Sequence, residues 1–344
     1  MRMFTVTGML LLGAGGIACA AAPVAPTVIK EAKIERWSPV AMDAIVPKDW
    51  KIEKLAEGFT WAEGPIWVKS GGYLLFTDVP GNKMWKWSDK GGLEKFLDPS
   101  GAVNPDPVIW REAGANGLSL DGPDAILIAD TGNRGIQRLD LKTKKRTPVA
   151  MHFEGKKFAS PNDVTRMKNG VIFFTDPPYG YNKFDDAPQI EIKFNGVYRM
   201  GKDGKVTAVV KDLHRPNGVA LSPDEKTLYV SQSEPKKAII LALSLDANGE
   251  VTDERLFHDA TDLVNDKSPG LPDGLTVAAD GTVFTSAPGG ILVLSKEGKR
   301  LGRISDGRPT ANCKFGDDGK TLYLTSKDTL ARIRLNVSGI GFGK

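Results

Sequence analysis

Cysteine and histidine are scarce in this chain of 344 residues, which contains two Cys and three His. Cys19 lies in an N-terminal segment that we expect to be removed, so Cys313 would remain alone and no internal disulfide could form. The shortage of both residue types also leaves little from which to build a zinc cage. The stability of the fold must therefore come from an ordinary hydrophobic core.

A basic run is absent as well. The formal net charge of +4 is spread along the chain, and Lys and Arg alternate with Asp and Glu in turns such as SPDEK and KDGK. A nucleic-acid-binding surface would concentrate positive charge on one face or segment. We therefore expect no nucleic-acid partner.

A long apolar stretch occurs only at the N-terminus. Arg2 precedes an apolar run over residues 3–14, and small residues follow at Ala18 and Ala20. This order is typical of a secretory signal, and the run is too short and too rich in glycine for a lasting membrane span. We expect a signal peptide over residues 1–22, with cleavage near Ala20.

Export of the mature chain to the periplasm or the medium follows from that interpretation. The alternative is a lipoprotein attached through Cys19. We disfavour it because Gly16 stands where a lipobox usually carries a large aliphatic residue. No membrane span is expected in the mature protein.

Long amphipathic helices are missing, whereas one short apolar run recurs six times. Each copy follows Gly, Pro, Asn or Asp residues typical of a tight turn, which predicts that each is the second strand of a β-hairpin. The copies are YLLFTD at Tyr73, AILIAD at Ala125, VIFFTD at Val171, TLYVSQ at Thr227, TVFTSA at Thr282 and TLYLTS at Thr321.

A polar residue stands nine or ten positions before each run and begins the first strand of the hairpin. The spacing between successive hairpins fits units of four strands better than helical repeats. It predicts an all-β, six-bladed β-propeller with four-stranded antiparallel blades over residues 51–344, after a leader over residues 23–50. Either the last strand, LARIRL, or an N-terminal strand closes the ring. We call the polar positions the slot residues: Glu63, Asn116, Asn162, Asn217, Asp273 and Asn312.

The innermost strands of a propeller start at the mouth of its central channel, so the slot residues should form a ring there. The carboxylates of Glu63 and Asp273, with the amide oxygens of Asn162 and Asn217, make an all-oxygen set of charge −2. Ca²⁺ prefers such ligands, so it is the first candidate, with Mg²⁺ or Mn²⁺ next and Zn²⁺ last. The alternative is that these residues only form turns and caps, the commonest role of Asn and Asp.

Five motifs carry a family resemblance: AEGPIW, SPNDV, FTDPPYG, RPNGVALSPDEKTLYV and LPDGLTVAADG. They resemble the gluconolactonase/regucalcin (SMP-30-like) family of six-bladed propellers, from about Trp61 to Leu335. The resemblance implies a divalent metal on Glu63, Asn217 and Asp273.

The same resemblance implies that Asn162 lies beside the metal and the substrate. Regucalcin-like members carry an arginine two residues earlier, whereas this chain has Ser160. The DPPYG motif favours bacterial gluconolactonase-type members. A sugar (aldono) lactone such as gluconolactone is therefore the expected substrate.

Hydrolysis of a lactone needs a polarised carbonyl and an attacking water. A divalent metal supplies the polarisation as a Lewis acid, and Asp273 is the candidate general base, or else a ligand only. A nucleophilic serine is not supported, because no GxSxG elbow is present. His214, three residues before Asn217, could shuttle protons or merely cap a loop.

Long connections should hold the substrate, since functional loops gather on one face of a scaffold. Trp110, Arg111 and Tyr179 lie in such loops and are candidate rim contacts or simple loop packing. We expect Asn116, Asn162, Tyr179 and Arg111 to contact substrate. Asn116 and Asn312 could each either support the metal ligands or contact the substrate.

Two other function classes remain open. A calcium-dependent arylesterase or phosphotriesterase on the same propeller would use the same metal and a more apolar pocket. A non-catalytic propeller that binds a protein or carbohydrate would keep a purely structural metal. Loss of lactone turnover with a chelator would separate the enzymes from the binding module.

Overall fold

The computed structural model describes residues 25–342, and nearly all regular structure in this part of the chain is β-strand. The expected signal peptide and its cleavage site lie outside the described residues. No helix within residues 25–342 is long and apolar enough to cross a membrane.

Six antiparallel sheets succeed one another along the chain, and each is a blade. Before them come β1 (Thr27–Val28), β2 (Lys33–Arg36), helix α1 (Pro39–Ile45) and β3 (Ile52–Glu57). Blade 1 contains β4 (Ala62–Val68), β5 (Tyr73–Asp78), β6 (Lys83–Ser88) and β7 (Gly92–Leu97); blade 2 contains β8 (Ala115–Leu120), β9 (Ala125–Asp130), β10 (Gly135–Asp140) and β11 (Arg146–Ala150). The short hairpin β12 (His152–Phe153) and β13 (Lys156–Lys157) precedes blade 3, which contains β14 (Val164–Arg166), β15 (Ile172–Asp176), β16 (Gly196–Met200) and β17 (Val206–Val210).

The second half of the ring repeats the same plan. Blade 4 contains β18 (Pro216–Leu221), β19 (Thr227–Gln232), β20 (Ile239–Leu245) and β21 (Val251–Asp259). Blade 5 contains β22 (Leu275–Val277), β23 (Val283–Ala287), β24 (Gly290–Leu294) and β25 (Arg300–Ser305), and blade 6 contains β26 (Thr310–Gly316), β27 (Thr321–Ser326) and β28 (Thr329–Arg334). Two 3₁₀ turns, Phe184–Asp186 and Thr261–Leu263, lie in the connections.

The predicted six-bladed propeller is confirmed, and each recurrent apolar run forms the second strand of its blade. The closing strand is N-terminal: β3 pairs with β28, from Thr329 opposite Glu57 to Ile333 opposite Ile52. Blade 6 thus takes its outermost main strand from the start of the domain. The preceding strands add at the periphery, where β1 pairs with β3 and β2 pairs with β25.

The core lies between neighbouring blades rather than at one centre. Six clusters of buried apolar residues fill the six interfaces between blades. Ile66 and Leu75 of blade 1, for example, pack with Leu118 and Ile128 of blade 2. Because both faces of a blade are covered in this way, its strands are continuously apolar instead of alternating.

Candidate functional site

A cavity of about 350 Å³ opens at the mouth of the central channel where the innermost strands begin. It brings together all seven residues predicted for the metal, the proton transfer and the substrate: Glu63, Arg111, Asn116, Asn162, Tyr179, Asn217 and Asp273. The sixth slot residue, Asn312, lies behind this lining. The fold thus brings Glu63 and Asp273, which are 210 residues apart in the sequence, to one cavity.

The chain aims the slot residues by breaking the strand pairing beside them. In blade 1, Glu63 pairs with Thr77 and the next pair is Ile66 with Leu75, so one extra residue is inserted at this point of β4. Similar register shifts occur at the slot residues of blades 2, 4 and 6. A β-bulge re-aims the side chain at its position, which explains why turn-favouring residues begin apolar strands here.

Hydroxyl groups on the second strands tie one blade to the slot residue of the next. Thr77 donates a hydrogen bond to the backbone carbonyl of Asn116 at 3.1 Å. Thr175 donates to the carbonyl of Asn217 and Ser231 to that of Asp273, each at 2.6 Å. These hydroxyls therefore cross-link the slot residues of blades 2, 4 and 5 to the blade that precedes each of them.

The side chain of Asn217 is oriented for a ligand. Its Nδ2 donates to Ser233 Oγ at 2.8 Å, while its buried Oδ1 has no hydrogen-bond partner among the described residues. Ser233 in turn donates to the carbonyl of Pro272, next to Asp273. A buried carbonyl oxygen without a partner is costly and uncommon in native proteins. A cation in the cavity would satisfy it.

Glu63 is held by two donors. Its Oε2 accepts from the backbone N–H of Gly64 at 3.0 Å and from Asn312 Nδ2 at 3.2 Å. Asn312 Oδ1 accepts the N–H of Cys313 at 2.8 Å, so both ends of that amide are occupied. Asn312 therefore positions the carboxylate of Glu63.

The two carboxylates of the ring are electrostatically unfavourable together. Burial raises the pKa of Glu63, and repulsion from Asp163 and Glu112 adds to that rise. Burial and repulsion from Glu63 raise the pKa of Asp273 well above its usual range. A nearby positive charge reverses both effects because it favours the charged form.

The donor set fits a hard cation better than a thiophilic one. Within residues 25–342, no three His, Cys, Asp or Glu side chains are grouped as a metal cluster. The cavity lining offers three carboxylates, two of them at slot positions, and the amide side chains of three Asn residues, including Asn217 with its unpartnered Oδ1. Such oxygen ligands, completed by water, are typical of Ca²⁺ and Mg²⁺.

One wall of the cavity is made by two long loops, residues 98–114 and 177–195, which we call the site wall. Trp110 stacks on Tyr181 with ring centroids 4.8 Å apart, and the N–H of Arg111 donates to the carbonyl of Gly180 at 2.8 Å. Arg111 Nε also donates to the carbonyl of Tyr179 at 3.1 Å. Trp110 thus serves as loop packing, whereas Arg111 and Tyr179 line the cavity.

Glu112 is a site residue that sequence reasoning missed. It lines the cavity, is 8% exposed and forms an ion pair with Arg111. Burial raises its pKa to about 7, and Arg111 partly opposes that rise. No repeat points to it, since it lies in a loop outside the slot positions.

Two other positions act away from the cavity. Ser160 is buried, donates to the carbonyl of Pro177 and accepts the N–H of Gly180 at 3.0 Å, so it braces the site wall. His214 is paired with Glu234 and does not line the cavity. The geometry favours a role for His214 in fixing a loop over a role as a proton shuttle.

Comparisons with known proteins agree with this fold. The family model described as the SMP-30/gluconolactonase/LRE-like region matches residues 61–328. The chain is 42% identical over 312 residues to a gluconolactonase of Zymomonas mobilis, covering 89% of this chain and 87% of that protein. It is 24% identical over 283 residues to the regucalcin of Oryctolagus cuniculus, covering 79% and 84% of the two chains.

A solved structure from Xanthomonas campestris, described as a gluconolactonase, is also similar. It superposes with a TM-score of 0.77 at 29% sequence identity and covers 92% of this chain and 99% of that one. The matched region includes every slot residue and the site wall. The chain therefore belongs to the SMP-30/gluconolactonase/LRE-like family.

Proposed function

We propose that this protein opens a sugar lactone such as gluconolactone with water, assisted by a divalent cation, Ca²⁺ first among the candidates. Family membership and the similarity to a gluconolactonase make the chain a lactone hydrolase, an enzyme acting on a carboxylic ester bond. The choice of a sugar lactone is supported by the lining of the cavity, where ten of fourteen residues are charged, amide-bearing or hydroxyl-bearing. An arylesterase or phosphotriesterase would favour a more apolar lining.

One observation carries the metal part of the proposal: Asn217 has a buried, unpartnered Oδ1 and lines the same cavity as Glu63 and Asp273. We assign Glu63, Asn162, Asn217 and Asp273 as the residues that would hold the ion. When bound, a divalent cation would supply Lewis-acid polarisation of the lactone carbonyl. The relatives named regucalcin favour a divalent metal in this family.

Asp273 is the proposed general base. Its backbone is fixed at both ends, since its N–H donates to Ser286 Oγ at 2.9 Å and its carbonyl accepts from Ser231 at 2.6 Å. The carboxylate can take a proton from the water whose oxygen bonds to the carbonyl carbon. When the bond from that carbon to the ring oxygen breaks, the same proton can pass to the ring oxygen. The product is the open-chain sugar acid.

The remaining lining residues would orient the substrate. Arg111 offers hydrogen-bond donors around the cavity, and Asn116, Asn162 and Tyr179 each offer both a donor and an acceptor. These groups suit a ring that carries several hydroxyls. Holding such a ring in one orientation lowers the entropic part of the barrier.

A substrate panel tests the proposal directly. Glucono-δ-lactone, phenyl acetate and a phosphotriester would be assayed with Ca²⁺, with Mg²⁺ or Mn²⁺, and with EDTA. We expect turnover of the lactone, its loss in EDTA and its recovery when Ca²⁺ is restored. Turnover that survives EDTA would overturn the metal part, and preference for the aryl ester or phosphotriester would overturn the substrate.

We also propose that the mature enzyme is exported after cleavage near Ala20, because Arg2 and the apolar run over residues 3–14 have the order of a secretory signal. N-terminal sequencing of protein recovered from the periplasm and from whole cells tests this. An intact Met1, or a lipid on Cys19, would contradict the proposal.

A further inference from the structure

Glu112 is a buried acid that the proposed chemistry does not use. It projects from the site wall into the cavity, outside the ring of slot residues. Its charge adds to the repulsion felt by Glu63 and Asp273, so keeping a third carboxyl in this cavity is electrostatically unfavourable. A buried carboxyl that is electrostatically unfavourable is a candidate for a functional role. For Glu112 that role would be something other than metal binding or stability.

The backbone of Glu112 is rigidly placed. The N–H groups of Arg111 and Glu112 both donate to the carbonyl of Gly180, at 2.8 and 3.1 Å. The stacked pair Trp110 and Tyr181 covers the same junction. These contacts join residues about 70 positions apart in sequence, so Glu112 is held by the packing of two loops rather than by one mobile segment.

The side chain of Glu112 has unused acceptor capacity. Arg111 is its one ion-pair or hydrogen-bond partner among residues 25–342. An ionised carboxylate has two oxygens and about four acceptor positions. Since Glu112 lines the cavity, the positions not used by Arg111 are available to a ligand there. Acceptors of this kind recognise hydroxyl or N–H groups and offer nothing to an apolar ring.

We propose that Glu112, held in place by Arg111, accepts hydrogen bonds from the hydroxyl groups of the substrate and thereby selects polyhydroxylated lactones over unsubstituted ones. This inference rests on the proposed lactonase function. It adds that the site wall recognises the hydroxyl groups of the substrate. A site that hydrogen-bonds a substrate hydroxyl discriminates strongly against analogues that lack it, because its buried polar group is then left unpaired.

Two six-membered lactones separate recognition from chemistry. Glucono-δ-lactone carries ring hydroxyls and a hydroxymethyl group, whereas δ-valerolactone has the same ester ring and none of them. For Glu112→Gln we expect kcat/KM on glucono-δ-lactone to fall about 10–100-fold, the size of a lost charge-assisted hydrogen bond. On δ-valerolactone no hydroxyl contact exists to lose, so any change there reports only the charge removed near Glu63 and Asp273. The loss on glucono-δ-lactone should exceed the change on δ-valerolactone by about 10-fold or more.

A matched control is Glu94→Gln. Glu94 is also a carboxylate paired with a cation, Lys86 at 3.1 Å, but it lies on the exposed outer strand of blade 1. Its replacement should leave both substrates unchanged. Glu112→Asp keeps the charge on a shorter side chain and should restore part of the preference for glucono-δ-lactone. Thermal unfolding of each variant identifies any that fail to fold.

Binding of the product gives a readout that does not depend on turnover. Gluconate carries the same hydroxyls, so calorimetry should show weaker binding to Glu112→Gln than to the wild type, by about 10-fold or more. Equal losses on both lactones, or no loss on either, would overturn the inference. A wild type that hydrolyses δ-valerolactone but not glucono-δ-lactone would instead overturn the proposed function itself.

Discussion

Gly64, directly after Glu63, is the position where a single methyl group should do most damage to the ring of slot residues. Its φ is +47°, a left-handed conformation that favours glycine. A Cβ added there would lie 2.1 Å from the backbone oxygen of Asn116 and 3.2 Å from Thr77 Oγ1. Because Thr77 is hydrogen-bonded to that same oxygen, neither group can give way without breaking the tie between blades 1 and 2.

The expected cost of Gly64→Ala has two parts. The left-handed backbone conformation costs a non-glycine residue about 1–2 kcal/mol, and the overlap with a neighbouring backbone should cost about 1–3 kcal/mol more. Gly72, in the hairpin turn of the same blade, distinguishes the conformational cost from the cost of overlap. Its φ is also positive, at +61°, but a Cβ there would meet nothing within 4 Å. Gly72→Ala should therefore lose only the first part.

Urea unfolding of both variants measures the difference. We expect Gly64→Ala to be less stable than Gly72→Ala by about 1–3 kcal/mol, and the folded Gly64→Ala protein to lose lactonase activity because Glu63 and Asn116 are displaced. Equal losses of stability, with activity retained in both, would refute the account of why a glycine follows Glu63.

Three further predictions concern the site and its support. Ser233→Ala should weaken Ca²⁺ binding about 3–10-fold in calorimetry, because Asn217 loses the contact that orients its amide. The control Ser70→Ala, which removes one exposed hydrogen bond, should leave the Ca²⁺ affinity unchanged. Equal affinity in both variants would contradict the assignment of Asn217 as a metal ligand. Asp273→Asn should lower kcat about 10²–10⁴-fold at saturating Ca²⁺ if the residue is the base, whereas near-full activity would leave it as a ligand only. Burial raises the pKa of Asp176 from 3.8 to about 7, so the stability given by its bound proton is present below the unfolded value and lost as the pH rises through the folded one. The stability deficit of Asp176→Asn relative to wild type should then shrink by up to about 3 kcal/mol between pH 5 and 8 in urea unfolding, and parallel profiles would disprove it.

The fold could be predicted because its unit is short and repeated. A turn, a polar slot residue and an apolar second strand recur within each blade, so errors in one copy are corrected by the others. The strand that closes the ring could not be predicted in this way. Strand β3 pairs with β28 across the whole domain, and its half-buried residues have no continuous apolar run that would identify it as the partner.

The ring of slot residues could also be predicted from the repeats, whereas the site wall could not. The slot residues were found because they occupy equivalent places in successive blades. Glu112 reaches the cavity only because the loop that carries it docks on Gly180 in another blade. No spacing in the sequence encodes that contact, and a lone Glu beside an Arg in a polar loop usually indicates a solvated surface pair. The sequence shows which residue types the two loops contain, but it does not show that the loops pack against each other beside the channel.

Ser160 shows how the two parts of the site depend on each other. Regucalcin-like members carry an arginine at this position, next to the slot residue. In this chain the serine is 1% exposed, and its hydroxyl is fully engaged with the carbonyl of Pro177 and the N–H of Gly180. An arginine would have no room there, since even a Cβ on Gly180 would lie 2.7 Å from the Cβ of Ser160. The cation that faces the cavity is Arg111, which the braced loop holds through the carbonyl of Tyr179. If Glu112 and Arg111 select the substrate as proposed, differences in specificity among the relatives should follow the wall loops rather than the slot residues.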